Sequence, residues 1–337
     1  MSFDFSRHAI FAGVAGSWAY GLSTPSSDVD VRGICIPPKR YWFSASLNFE
    51  QLESKRDEVT LYGIKKFFAL AIKANPNIIE LLWMPQDCIL FQSDLMDEVL
   101  EKRHLFLSAK AMHSFSGYAF SQLKRIKGHR SWLLEPPDHE PTREEFGLPA
   151  DQREFDSLKA AIETAGQADL EPYELYGKQM DALRRYKTAR ARWKQYEDWK
   201  RTRNPDRAAL ESEHGYDTKH AAHLIRLLRM GGEILERGEV NTRRADAQEL
   251  LAIRNEGIWT YDELISWAEQ EEQRLERIYD SRQYVVPRKP DLAAIDELLQ
   301  RVAEKSFESE PKGPTYEELL EQRDAWEKKQ RIARGWE

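Results

Sequence analysis

Asp28 and Asp30 stand two residues apart near the end of the stretch GSWAYGLSTPSSDVDVRG, residues 16–33. On an extended chain, positions i and i+2 point to the same side. The spacing therefore predicts both carboxylates and Arg32 on one face, with Val29 and Val31 in a core. Two anions that close repel each other unless a cation sits between them, so the pair is a candidate metal site. Acids at this spacing also serve as ordinary turn and cap residues. What favours chemistry is the Gly16-Ser17 turn ahead of them, separated by a loop containing Ser23, Thr24, Pro25, Ser26 and Ser27.

The elements that must hold this pair can be read around it. HAIFAGVAGS is a short buried strand running into the Gly16-Ser17 turn, and SDVDVRGICIPP is a second strand stopped by Pro37-Pro38. DEVTLYG is a third strand, leading into the amphipathic helix IKKFFALAIKA; Asn75-Pro76 ends that helix before a second one, NIIELLW. Glu80, with Asn75 and Asn77, is expected to cap and orient that helix. Beyond about Leu105 the pattern is almost wholly helical. The fold class expected is α+β: a small mixed-sheet domain over 1–104, then a helical domain over 105–290 with a Pro-rich excursion at 133–149. A charged tail, 291–337, is expected to end in a loosely held helix.

Gly16-Ser17, a loop, then Ser27-Asp28-Val29-Asp30 resembles the signature of the DNA polymerase β superfamily of nucleotidyltransferases. The surrounding GVAGSWAYGL, NPNIIELLW and YDTKHAAHLIRLL resemble its phage and bacterial branch of predicted nucleotidyltransferases. The superfamily motif covers roughly the first 65 residues, and the branch resemblance is spread over roughly 9 to 265. The resemblance implies attack on the α-phosphorus of an NTP with pyrophosphate leaving, assisted by two divalent cations about 3.5–4 Å apart. Magnesium or manganese suits carboxylate ligands. Asp28 and Asp30 would bridge the ions, and the Gly16-Ser17 backbone with the Ser17 hydroxyl would grip the β and γ phosphates. The third carboxylate implied on a neighbouring strand is Asp57 or Glu58. If Val59 and Leu61 face the core, alternation puts Glu58 with Thr60 and Tyr62 on the active face, which favours Glu58.

In YDTKHAAHLIRLLRMGGEIL, residues 216–235, Leu224, Ile225 and Leu228 form a buried stripe and Gly231-Gly232 permits close packing or a break. Lys219, His223 and Arg226 fall on a neighbouring face. They read either as a solvated basic face or, as the resemblance implies, as a cationic wall over the triphosphate. His220 and His223 are spaced as a metal pair, but no second motif completes such a site. Two further stretches mix cations with aromatics. LKRIKGHRSW, 123–132, carries Lys124, Arg125, Lys127, His129 and Arg130 with Trp132. LRRYKTARARWKQYEDWKRTR, 183–203, interleaves Arg184, Arg185, Lys187, Arg190, Arg192 and Lys194 with Tyr186, Trp193, Tyr196 and Trp199. They fit either RNA phosphates and unpaired bases or an amphipathic helix with its aromatics inward.

The bulk properties suit a soluble protein of two domains or one large one. The chain has 337 residues, 41% hydrophobic and 32% charged, and no apolar run approaches the roughly 18 residues of a membrane span. MSFDFSRHAIFAG lacks the pattern of a signal peptide, and two cysteines, Cys35 and Cys88, are too few for a disulfide framework, so a reducing cytoplasm is the expected setting. A net charge of −7 argues against indiscriminate nucleic-acid binding but not against a local basic groove. The expected activity is transfer of an NMP from an NTP to a hydroxyl, foremost an RNA 3′ end. A protein or small-molecule acceptor, or an inactive nucleotide- or RNA-binding protein on the same fold, are the alternatives.

Overall fold

β-Branched and small apolar residues make Ala9–Val14 a strand buried along its whole length, β1. It pairs antiparallel with β2, Val31–Cys35, in register Val14 to Val31. β3, Gln51–Ser54, and β4, Val59–Gly63, form an antiparallel hairpin, and β4 runs parallel to β2 with Val31 opposite Val59. β5, Ile89–Gln92, closes the other edge, giving the mixed order β3-β4-β2-β1-β5. The chain is thus α+β, in a computed structural model that describes residues 4–151, 153, 156 and 170–336. β3 and β5 were not foreseen from the sequence, and the strand expected from Ser27 begins only at Val31. Asp28 to Asp30 are the extended approach to β2, and Ala15 N–H donates to the Asp30 carbonyl at 2.8 Å.

The alternation read from the sequence holds. Val29 and Val31 are buried, Asp28 is exposed, and Asp30 and Arg32 are half-buried. On β4, Val59 and Leu61 face the core while Thr60 and Tyr62 remain partly accessible. Gly16 leads directly into a short helix, α1, Ser17–Tyr20. α2, Ile64–Ile72, buries Ile64, Phe67, Phe68 and Ala71, the i, i+3, i+4, i+7 stripe of an amphipathic helix. α3, Pro76–Leu82, is capped by Asn75, whose side chain accepts from Asn77 N–H, with Pro76 at the start where its missing N–H costs nothing.

The remaining helices are α4 (Asp94–Glu101), α5 (Lys110–Leu134), α6 (Leu170–Thr202), α7 (Pro205–His214), α8 (Thr218–Arg237), α9 (Ala247–Glu256), α10 (Tyr261–Asp280), α11 (Leu292–Glu308) and α12 (Tyr316–Ala333). Packing groups the chain differently from 1–104, 105–290 and 291–337. One unit comprises residues 1–125 and 218–337, and the other 126–217. Residues 157–169 of the expected helical domain lie outside the described residues. The physical reason is burial: α8 to α12 carry apolar stripes that belong to the same body as the sheet. Gly231 of α8 lies against Phe115 of α5, and Gly232 against Leu275 of α10, so the glycine pair permits close packing, not a break.

The tail also differs from expectation. α12 starts with a capping box formed by Thr315 and Glu318, and its Leu319 is fully buried among Ala9, Ala12, Val31, Cys35, Val59 and Leu61. It is a docked part of the sheet's core. In the second unit, Leu148, Ala182 and Leu183 pack with Phe146, Met180 and Tyr186. Cys35 and Cys88 are buried and unpaired. No helix among the described residues is long and apolar enough to cross a membrane.

Candidate active site

Gly16 has φ +67°, in the left-handed region that glycine adopts without strain, and a Cβ placed there would stand 3.1 Å from Asp30 Oδ2. The turn and the second carboxylate are therefore neighbours, separated in sequence by a loop fixed at several points. Ser27 N–H donates to the Thr24 carbonyl at 2.9 Å, and Thr24 N–H to Ser27 Oγ at 2.9 Å. Trp18 is 1% exposed, and its indole N–H donates to the Asp28 carbonyl at 3.1 Å. Arg243 Nη1 donates to the Trp18 carbonyl at 3.1 Å and Arg254 Nη1 to the Leu22 carbonyl at 3.1 Å. From the C-terminal end, Trp326 and Trp336 pack around Trp18, Arg334 lies 4.6 Å over its ring, and Arg331 Nη1 donates to the Pro25 carbonyl at 2.8 Å.

Burial raises the Asp30 carboxyl above the usual range; Arg32 and Lys219 oppose this rise and Asp28 adds to it. Asp30 thus lies within the electrostatic reach of three other predicted residues: Asp28, Arg32 and Lys219. A partly buried carboxylate repelled by a neighbouring one is an unbalanced donor set, and it fits a hard divalent cation of the magnesium type. Asp28 and Asp30 would hold such an ion.

Asp57 and Glu58 separate clearly. Asp57 Oδ2 accepts from Ser54 Oγ at 2.7 Å and from Tyr316 Oη at 2.9 Å, and these bonds hold its carboxyl below the usual range. Glu58 is exposed, with φ +52°, at the end of the β3–β4 turn. Its carbonyl accepts from Val31 N–H at 2.8 Å, which places it beside Asp30 just ahead of the paired strands. Strand alternation starts only at Val59, so it does not aim the Glu58 side chain; register alone brings this residue to the carboxylate pair.

The α8 residues divide too. Lys219 is exposed. His223 is half-buried, and burial, with Arg226 and other cations near it, lowers its pKa to about 3, so it is neutral at neutral pH and adds no charge to a cationic wall. Arg226, expected on the triphosphate, is 2% exposed and turned inward. It forms a buried ion pair with Glu80 and lies 3.7 Å over the Tyr20 ring, while Tyr20 Oη donates to Glu80 Oε2 at 2.5 Å. Glu80, expected to cap α3, instead joins α3 to α1 and α8. A buried guanidinium demands such a partner, because uncompensated burial of charge is prohibitive.

In the second unit, Trp132 meets Tyr196 at 6.0 Å and Trp199 at 5.4 Å, and Trp193 meets Tyr196 at 5.8 Å. These half-buried rings pack on each other, whereas Arg184, Arg185, Lys187, Arg190, Arg192 and Lys194 are exposed along α6. The aromatics went to packing and the cations to the surface.

Sequence reasoning missed Trp18, Arg323 and Arg331 near the site. One signal was available: Arg323, Glu327 and Arg331 recur at steps of four, which puts them on one helical face.

Residues 4–132 match RlaP, the RNA repair pathway DNA polymerase beta family. Over these residues the chain is similar to polymerase β-type nucleotidyltransferases. The chain is 32% identical over 130 residues to the uncharacterized 38.9 kDa protein in the nrdC-mobD intergenic region of Enterobacteria phage T4, covering 34% of this chain and 38% of that protein. It is 30% identical over 96 residues to the uncharacterized protein YcgL of Bacillus subtilis strain 168, covering 28% of this chain and 36% of that protein. The chain thus spans little more than a third of the length of these relatives. No solved structure matches it.

Proposed function

We propose that this protein transfers an NMP from an NTP to a hydroxyl acceptor, foremost the 3′ end of an RNA, with release of pyrophosphate. The observation that carries the reading is the approach of the Gly16 turn to the Asp30 carboxylate, with Asp28 beside it and Lys219 close enough to act on its charge. In the reaction the acceptor oxygen forms a bond to the α-phosphorus as the bond from that phosphorus to the β-phosphate bridge breaks. Pyrophosphate leaves with the electron pair, and the hydroxyl proton passes to water at the exposed side of Asp28.

Divalent ions, when bound, would supply charge neutralisation at the attacking and leaving oxygens. Asp28 and Asp30 hold them, with Glu58 as third acid. Gly16 and Ser17 orient the β and γ phosphates at the first turn of α1, where helix N–H groups lack internal acceptors. Lys219 adds the positive charge on the leaving side, and the neutral His223 imidazole offers a hydrogen bond without charge. The packed Trp18 and its tryptophan neighbours keep water from the back of the loop. The exposed cations of 123–132 and 183–203 bind RNA phosphates in this reading.

Incubation with each α-labelled NTP, magnesium and total cellular RNA or protein tests the reading: label should enter RNA. Label in protein alone would move the acceptor class, and no label from any NTP would overturn the activity. Glu58→Gln should impair transfer far more than Asp57→Asn in the same assay; the reverse order would return the third-acid role to Asp57.

A further inference from the structure

A polar recess of about 300 Å³ opens beside Asp28. Three separate segments wall it: residues 25–29, the β3–β4 turn and α12. Four carboxylates, Asp28, Asp57, Glu58 and Glu327, and three guanidiniums, Arg56, Arg323 and Arg331, carry its charge. Two of the arginines are held in place. Arg323 Nη1 donates to the Asp57 carbonyl at 2.5 Å, and Arg331 Nε to Glu327 Oε1 at 2.8 Å. Arg56 is exposed and makes no hydrogen bond or ion pair among the described residues. Of the acids in the recess, Asp57 is tied to Ser54 and Tyr316 and Glu327 to Arg331, which leaves Asp28 and Glu58 facing the opening.

Guanidinium groups offer a planar fork of donors matched to phosphate oxygens. Three of them stand beside the proposed metal ligands, Asp28 and Glu58. As built, carboxylates outnumber guanidiniums in the recess, so an anion is unwelcome until a divalent ion neutralises Asp28. On the nucleotidyltransferase reading given above, the triphosphate lies on the Gly16, Asp30 and Lys219 side. The arginine recess is then on the acceptor's side of the same carboxylate pair.

We propose that this recess binds the backbone phosphates of a single-stranded polynucleotide next to its attacking hydroxyl, and that it does so only when the carboxylates carry a divalent ion. Arg56 and the α12 arginines are the recognising groups.

The test is fluorescence anisotropy of a short, 5′-labelled oligoribonucleotide ending in a 3′ hydroxyl, titrated with the full-length protein in magnesium and in EDTA across a salt series. Arg56→Ala should weaken binding in magnesium about tenfold and flatten the dependence of log K on log salt by about 0.7, the loss of one phosphate contact on a single strand. In EDTA, wild type and variant should bind equally weakly. Calorimetric affinity for a non-hydrolysable NTP should not change. Arg323→Ala, checked for an unchanged melting profile, should reproduce the pattern. Unchanged oligonucleotide affinity and slope in Arg56→Ala, or no magnesium-dependent binding by the wild type, would overturn the inference. Equal loss of NTP affinity would assign the recess to the nucleotide and overturn it as well. Binding is read without turnover, so absence of label transfer by the wild type would overturn the proposed activity independently of this result.

Discussion

α8 and α12 flank the same carboxylate region, and each behaves opposite to what its sequence suggested. α8 carries Lys219, His223 and Arg226 on one face, the pattern of a cationic wall, yet only Lys219 stays exposed and charged at the surface. Arg226 is committed to Glu80 and Tyr20 in the interior, and His223 is neutral. α12 reads as a loosely held helix in a charged tail, yet its Leu319 is in the core and its arginines reach the loop and turn beside Asp28 and Glu58. The difference teaches that helical periodicity identifies which residues share a face but not what that face meets. A cation whose face meets a buried glutamate becomes a brace; one whose face meets a loop carbonyl stays at the edge of a cleft.

The largest expected effect separates brace from contact. Arg226→Ala leaves Glu80 buried without its partner and should cost about 3–5 kcal/mol of stability. Denaturant unfolding checks this. A loss below about 1 kcal/mol, with NTP affinity reduced instead, would return Arg226 to the ligand. Lys219→Ala should leave stability nearly unchanged and weaken NTP binding by about 1–3 kcal/mol, the range for losing a charge-assisted contact. The matching monophosphate, lacking β and γ phosphates, should lose much less, and calorimetry with both ligands reads the contrast. Equal losses would mean that Lys219 does not face the triphosphate.

The smallest effect concerns His223 and pH. Its pKa is lowered to about 3 in the folded protein from 6.5, so below pH 6.5 the unfolded chain binds the extra proton first. The stability associated with the neutral imidazole is complete above pH 6.5 and is lost as pH falls toward 3. One such group contributes at most about 1.4 kcal/mol per pH unit, and half-burial makes the real slope shallower. His223→Gln should flatten the stability profile between pH 6 and 4 relative to wild type. An unchanged slope would mean that solvent reaches the imidazole freely.

Much of the sheet half was legible in the chain. The alternation through Val29, Val31, Val59 and Leu61, the Asn75-Pro76 boundary and the glycine turn at 16 are local signals, and each appears where the residue types require it. β3 and β5 were not legible because they are four-residue edge strands whose partly buried faces leave no clear periodicity. The Glu58 side chain escaped the strand argument because a single left-handed residue breaks alternation before β4 begins. Arg226 and Glu80 lie 146 residues apart, and a buried pair at that separation has no local signature. α12 was misjudged for the converse reason: its charged surface dominates its composition, while the residues that dock it, buried Leu319 and Trp326 on the helix and Trp336 just beyond it, are few.

The central claim is that Asp28 and Asp30 form the transferring centre. The most direct measurement is label transfer from an α-labelled NTP to RNA in magnesium by wild type, Asp28→Asn and Asp30→Asn, with melting temperature followed in parallel. The account predicts that each variant remains folded, its melting temperature equal to or above that of the metal-free wild type because carboxylate repulsion is relieved, while transfer falls to background. Near-normal transfer by either folded variant would contradict it.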